Sequence, residues 1–485
     1  MWLNSFDAGS AVLLDGKTGA ATTRAEIEAR ASVVGRITPA RGLAFVLADS
    51  TTDSAATIHA VLAAQVSASL LDATSPEDVT TALVDRYHPD VIIGGVGGSL
   101  QHVLGSAGRG YESCYNPHIG PYLRRVTPAE PINPDLAVLL TTSGSTGSPK
   151  LVRLSRQNIV ANAIQIAGSL DLRPDDRGVS SLPFHYSFGM SILTSHAVVG
   201  SPVVVTASSV LESALWDQID NLGVTLFPGV PQTYHMLSRI GFLDKFPQTI
   251  RALLQAGGRL EPALVIEFAD IMERRGGEFF VMYGQTEASP RMACLPPRDL
   301  RRKLGSVGVA LQGGNLQARS PGAGSSESDA PSMDPFPAGE VGEIYYTGPN
   351  VMMGYAENRI DLTLGDTHGD TLATGDLGYV DNEGFLYLTG RTKRIAKVAG
   401  LRISLDEVEA MVANLQSAAI EAPPGTITLA TSAADTDGSH RQAARDLARA
   451  LRVPPKCVRV IWVASLPLLP SGKVDYQALV TLVGE

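Results

Sequence analysis

The stretch Thr141-Thr-Ser-Gly-Ser-Thr-Gly-Ser-Pro-Lys150 constrains this chain more than any other. An apolar run, Leu136-Ala-Val-Leu-Leu140, precedes it with the length and composition of a buried strand. Apolar residues at Ile159, Ala163, Ile166 and Leu170 follow at helical spacing, with Ser155 placed to cap the helix. The segment therefore reads as a strand-to-helix loop of hydroxyls, two glycines and one lysine. Gly144 and Gly147 admit backbone conformations that expose N–H groups. Such N–H groups, hydroxyls and a lysine charge suit a polyphosphate. The spacing differs from that of the common phosphate loop, which needs Gly-x-x-x-x-Gly-Lys-Ser/Thr. Here Gly144-x-x-Gly147-x-x-Lys150 runs into Leu151, and the dinucleotide pattern Gly-x-Gly-x-x-Gly is missing. Taken alone, the stretch fits a phosphate binder and a plain polar turn about equally.

The rest of the chain narrows the choice. With 485 residues it is too long for one ordinary domain, and 44% hydrophobic residues can fill substantial cores. A net charge of −10, with no basic block longer than Arg301-Arg-Lys303, argues against nucleic acid as a partner. Cys114, Cys294 and Cys457 lie far apart, make no metal-ligand spacing and fit a reducing compartment. The first residues lack the pattern of a secretory signal, and the most apolar window, Met190 to Thr206, is too interrupted to span a bilayer. A cytoplasmic protein without a membrane partner is expected.

Strand-like patches at Ala44–Ala48, Val91–Ile93, Pro202–Val205, Val224–Phe227 and Phe279–Met282 alternate with helical ones. Helices are expected at Ile58–Ala64, 155–170, 211–220 and 231–240, so the pattern is one of layered parallel α/β structure. Residues 318–339, rich in Ser, Gly, Pro and Asp, read as an exposed loop. Gly342–Tyr346 and Gly384–Leu388 look like half-buried antiparallel strands. A boundary near residue 390 leaves a small α+β domain at 391–485 after a large N-terminal domain of layered α/β subdomains at 1–390. In the small domain Ser404-Leu-Asp-Glu407 has capping-box spacing, with Val408, Met411 and Leu415 continuing the helix. A second helix spans Ser439 to Leu451, and Val458–Val463 is a strand.

Five stretches belong together: Thr141–Lys150; Phe184-His-Tyr-Ser-Phe-Gly-Met190; Tyr283-Gly-Gln-Thr-Glu287; Thr374-Gly-Asp376 with Gly390-Arg391; and Leu466-Pro-Leu-Leu-Pro-Ser-Gly-Lys473. In this order they resemble the superfamily of adenylate-forming ligases, which contains acyl- and aryl-CoA synthetases, peptide-synthetase adenylation domains and beetle luciferases. The resemblance runs from about residue 12 to about 480. It implies activation of a carboxylic acid by ATP and Mg²⁺ to an acyl adenylate with release of pyrophosphate. A thiol of coenzyme A or of a carrier-protein phosphopantetheine then attacks. Both steps gain negative charge at the reacting centre, so catalysis is mostly positioning and electrostatic stabilisation. No side-chain nucleophile is needed, and the sequence offers no convincing triad.

The resemblance assigns roles residue by residue. Thr142, Ser143, Ser145, Thr146 and Lys150 are candidates for the β- and γ-phosphates. Thr286 would contact the α-phosphate, Glu287 would ligate Mg²⁺ and Tyr283 would flank the adenine. Gln255-Ala-Gly-Gly258, with Gly257 and Gly258, resembles the small-residue turn against that base. Asp376 would hold the ribose hydroxyls, and Arg391 would reach the ribose or phosphate. Lys473 would bridge the substrate carboxylate and the phosphate–ribose oxygen in the transition state. Lys393 falls at the family's hinge position, and Gly400 would leave room for the pantetheine arm.

His185 stands where amino-acid-activating relatives usually carry an Asp that pairs the α-ammonium. A histidine supplies no fixed negative charge, so an acid without an α-amino group is expected. Tyr186, Phe188, Gly189, Val230 and Met282 suggest an apolar acyl pocket beside His185. A small aryl acid and a short-to-medium acyl chain fit equally. The segment from Leu415 to Thr428 is compressed and Pro-rich for the family, and no carrier-protein attachment segment follows Lys473. The resemblance implies coenzyme A or a free-standing acyl carrier protein as the acceptor. Amide formation, luciferase-like use of the adenylate, activation of an amino acid and a non-catalytic nucleotide-binding protein are the competing readings.

Overall fold

A computed structural model describes residues 2–94, 100, 110–141, 150–241, 246–320, 334–392, 394–398, 401–412, 417–435, 438–469 and 473–484. They gather into two compact units. The larger comprises Met1–Arg302, Ala310–Asn315 and Thr347–Leu372; the smaller comprises Lys303–Val309, Leu316–Tyr346 and Ala373–Glu485. The architecture is mixed α/β throughout.

Two sheets organise the larger unit. In one, Leu136–Thr141, Ser67–Asp72, Leu43–Ala48 and Val91–Gly94 run parallel in that order. Leu43–Ala48 is buried along its whole length, as a strand covered on both faces must be. Helix Thr52–Ala63 crosses from it to the next strand, capped by the Thr51 hydroxyl, which accepts from the Ser54 N–H. The second sheet runs parallel through Ala11–Asp15, Val203–Val205, Gly178–Val179, Leu226–Gly229, Ala252–Gln255 and Glu278–Gly284. Arg291–Leu295 turns back antiparallel beside Glu278–Gly284, with Gly284 opposite Arg291 and Met282 opposite Cys294.

One expectation is corrected. The stretch after Thr141 does not lead into a helix: Leu151–Ser155 is a strand, antiparallel to Leu136–Thr141, and only then does helix Arg156–Ser169 begin. Ser155 does cap that helix, in a reciprocal box with Asn158. The strand escapes a pattern reading because Arg153 interrupts its apolar run, yet Arg153 is itself only 1% exposed. Two other strands begin two residues later than expected, Leu226–Gly229 and Leu386–Arg391.

The smaller unit holds a four-stranded sheet in the order Asn315–Arg319, Gly342–Thr347, Thr371–Val380, Leu386–Arg391. It also holds a three-stranded sheet of Ser417–Glu421, Ile427–Thr431 and Val458–Trp462. Ala396, Val398, Val408, Ile427, Leu429 and Leu447 close one core there, joined by helices Leu405–Met411 and Ser439–Ala450. Leu415 and most of the 318–339 segment lie outside the described residues. Among the described residues no helix is long and apolar enough to cross a membrane.

Candidate active site

The second sheet of the larger unit gathers the predicted residues at one edge. Its parallel strands end at Val179, Gly229, Gln255 and Gly284. From these carboxyl ends leave the segments bearing His185 to Phe188, Val230, Gly257 with Gly258, and Thr286 with Glu287. Ligands of open α/β sheets collect at such edges, because loops can converge there without disturbing the core.

Two of those segments touch directly. Ser187, the first residue of helix Ser187–Val199, places its Oγ 3.1 Å from the Oγ1 of Thr286. Thr286 opens a single 3₁₀ turn, Thr286–Ala288, which sets Glu287 facing Tyr355. The Tyr355 hydroxyl donates to Glu287 Oε1 at 2.9 Å. Burial and this carboxylate raise the tyrosine's pKa, so it stays a donor at neutral pH. The other carboxylate oxygen accepts no hydrogen bond among the described residues. Those residues include no cluster of three acidic, histidine or cysteine ligands. A lone, half-buried carboxylate with one oxygen uncommitted fits Mg²⁺, which is held by one or two carboxylates with phosphate oxygens and waters.

The predicted acyl and adenine walls also meet. Gly257 takes φ +87°, and a Cβ there would lie 2.7 Å from the Tyr186 hydroxyl and 3.2 Å from Val230 Cγ1. Gly258 receives the side-chain amide of Gln255 on its carbonyl at 2.8 Å, which fixes the turn. Gly189 packs against the Pro183 carbonyl, where a Cβ would stand 2.1 Å away, so its role is close helix packing. Met282 and Tyr283 are buried in strand Glu278–Gly284, and Val230 is buried just past the end of Leu226–Gly229, two strands along the sheet. His185 Nε2 lies 3.8 Å from Asp72 Oδ2, while its buried Nδ1 has no partner among the described residues. Burial depresses its pKa, against the pull of Asp72, so the imidazole is neutral at pH 7.

The expectation of an apolar wall left out Arg291. It is 2% exposed, and its Cζ lies 4.4 Å from the centre of the Phe188 ring. Its backbone is fully engaged: its N–H donates to Asn162 Oδ1, and its carbonyl accepts from Asn162 and Asn350. Its guanidinium makes no hydrogen bond or ion pair among the described residues. Burial lowers its pKa to about 10, which leaves it cationic at pH 7.

Lys150 pairs with Glu357 at 2.9 Å, both half-exposed at the ends of the adjacent strands Leu151–Ser155 and Gly354–Ala356. Thr142, Ser143, Ser145 and Thr146 lie outside the described residues, as do Lys393 and Gly400. In the smaller unit Asp376 and Arg391 stand opposite each other across two antiparallel strands, and Arg391 Nε donates to Asp376 Oδ1 at 3.0 Å. Asp376 is nearly buried and its N–H is held by the Thr374 hydroxyl. Lys473 is half-buried where its carbonyl accepts from the Leu469 N–H at 2.7 Å. The partners that a reading of motifs misses, Asp72, Ser187, Tyr355 and Glu357, lie 99 positions from Thr286 in the case of Ser187 and 68 from Glu287 in the case of Tyr355. Arg291 did leave a signal: a lone charge at the head of the apolar run Met292-Ala-Cys-Leu295.

Known proteins resemble this chain over most of that architecture. The model of the AMP-binding enzyme family matches residues 24–356. A 2-succinylbenzoate–CoA ligase of Bacillus velezensis is 34% identical over 57% of this chain and 53% of its own length. The chain thus spans about half the length of such relatives. A sulfoacetate–CoA ligase of Cupriavidus necator is 30% identical over 72% of this chain and 68% of its own. The structure of o-succinylbenzoate coenzyme A synthetase from Bacillus subtilis with AMP superimposes with a TM-score of 0.75, covering 97% of this chain and 95% of that one at 22% identity.

Proposed function

The chain belongs to the AMP-binding enzyme family, and we propose from that premise that it is an AMP-forming acid–thiol ligase. It joins a carboxylic acid without an α-amino group to ATP, giving an acyl adenylate and pyrophosphate. It then passes the acyl group to a thiol. The observation that carries this reading is the contact chain Ser187–Thr286, Glu287–Tyr355 at the carboxyl edge of the parallel sheet. It joins the acyl side to the phosphate side through side chains that suit both.

In this reading Thr286 contacts the α-phosphate, while Lys150 with Thr142, Ser143, Ser145 and Thr146 holds the β- and γ-phosphates. Lys150 exchanges its half-exposed Glu357 partner for phosphate at little cost, because exposed ion pairs are worth about 1 kcal/mol or less. Tyr283, Gly257 and Gly258 flank the adenine; Asp376 takes the ribose hydroxyls and Arg391 keeps that carboxylate oriented. Mg²⁺, held by Glu287 and the phosphates, supplies charge neutralisation at the departing pyrophosphate when bound. Lys473 stabilises the oxygen that gains charge in the transition state. A hinge near Lys393, with Gly400 admitting the pantetheine arm, serves the second step. Coenzyme A is the acceptor favoured by the relatives' names, and a carrier-protein phosphopantetheine is the alternative.

The test is pyrophosphate release from ATP and Mg²⁺ across aryl, fatty and amino acids, with Lys473→Ala beside the parent. Acid-dependent release, falling about 100- to 1000-fold in the variant, is the expected result. Release with amino acids alone would refute the reading of His185. No release with any acid would refute the ligase.

A further inference from the structure

Arg291 is a cation that the fold buries and then leaves unanswered. It is 2% exposed, and among the described residues no carboxylate pairs with its guanidinium and no oxygen accepts from it. Among the described residues the Phe188 ring, its centre 4.4 Å from Arg291 Cζ, is what the guanidinium packs against. A cation–π contact of this kind is a weak attraction. Holding an unpaired ion away from water costs more than one such contact returns. The contact therefore does not offset the burial.

Neutralisation does not relieve it either. Burial lowers the guanidinium's pKa only to about 10, so the charge persists at pH 7. Nor can the side chain be an accident of loose packing. Asn162 and Asn350, both wholly buried, clamp the Arg291 backbone on either side.

Its neighbours fix which space the charge serves. Phe188 and Tyr186 flank Ser187, whose hydroxyl meets Thr286. Tyr186 in turn abuts Gly257 and Val230. One turn of chain thus presents Ser187 to the phosphate side and Phe188, backed by Arg291, to the acyl side. We propose that the acid this protein activates carries a second anionic group, a carboxylate or sulfonate at its far end, and that Arg291 pairs with it. This rests on the ligase reading above. Arg291 is then a specificity-determining residue: a methyl-ended acid would seal the cation in without an anion, whereas a dianionic acid would complete it.

The experiment uses matched acids: glutarate against pentanoate, adipate against hexanoate, and terephthalate against 4-methylbenzoate. Pyrophosphate release is measured for each with the parent protein, Arg291→Met and Arg291→Lys. The melting temperature of each protein is recorded alone and with each acid in the presence of a non-hydrolysable ATP analogue. The parent is expected to favour the dianionic member of at least one pair by roughly 10- to 100-fold in kcat/KM. Arg291→Met should lose that ratio, and Arg291→Lys should keep part of it. Without acid, Arg291→Met should melt at or above the parent.

A parent that prefers every methyl-ended acid, or a ratio unchanged in Arg291→Met, would overturn the proposal. So would an equal fall for both members of a pair, which would assign Arg291 to the reacting carboxylate or a phosphate. A variant that melts well below the parent would assign it to the fold. If no acid releases pyrophosphate but dianionic acids raise the melting temperature of the parent and not of Arg291→Met, the anion site stands and the ligase reading fails. Neither release nor stabilisation refutes both.

Discussion

Two arginines of the larger unit are equally buried and oppositely placed. Arg153 is 1% exposed and Arg291 is 2% exposed. Arg153 donates to the carbonyls of Met353, Tyr355, Leu364 and Gly365 and to the Thr367 hydroxyl, at 2.8 to 3.2 Å. Arg291 donates to nothing among the described residues. Burial alone therefore says little about what a charged side chain is for. The count of acceptors around it separates a cross-link from a receptor.

The comparison breaks first at Arg153. Arg153→Met leaves several inward carbonyls without donors, and an expected loss of about 3–5 kcal/mol in urea unfolding follows. The same substitution at Arg291 should cost nothing. If both variants lose stability alike, the distinction fails.

Buried histidines offer a sharper contrast, because they can shed the charge that an arginine keeps. His59 and His196 are each 1% exposed, and burial lowers each pKa from 6.5 to about 4. The folded state holds them neutral, so their contribution is fully present above pH 6.5 and is lost as pH falls toward about 4. The loss approaches roughly 3 kcal/mol for each. Urea midpoints between neutral pH and about pH 4 measure it. A flat profile would mean that both rings take up protons in place.

The smallest effect concerns a polar pair nearer the surface. Tyr355→Phe removes the donor that orients Glu287. The half-saturating Mg²⁺ concentration for pyrophosphate release should rise by about threefold to tenfold, with the melting temperature unchanged. Unaltered Mg²⁺ dependence would deny Glu287 its proposed role.

The same two arginines mark the limit of what could be read from the sequence. Alternating apolar patches disclosed the parallel layers, since strands such as Leu43–Ala48 are buried on both faces and show it in composition. A charge, by contrast, is taken as a mark of the surface. Arg153 thereby concealed the strand Leu151–Ser155 and turned a hairpin into an expected strand-to-helix loop. Arg291 stood in plain view ahead of an apolar run, but only coordinates show that nothing answers it. Thr286, Glu287, Gly257 and Asp376 could be singled out as candidates because each sits in a short contiguous motif on which the family resemblance rests. The pairings of Ser187 with Thr286, of Tyr355 with Glu287 and of Asp72 with His185 were not legible, because each joins segments 68 or more positions apart that no local pattern connects.

Where Arg291 is placed also bears on how such a protein could diversify. The residues around Tyr186, Val230 and Gly257 leave strand ends on loops, which can be exchanged without disturbing the sheet. Arg291 is built into the strand Arg291–Leu295, opposite Gly284, where a Cβ would lie 1.9 Å from the Pro290 carbonyl. Grafted loops would then reshape the cavity while its preference for a charged far end persisted. Contour and charge selectivity would be inherited separately, the first quick to change and the second tied to the sheet.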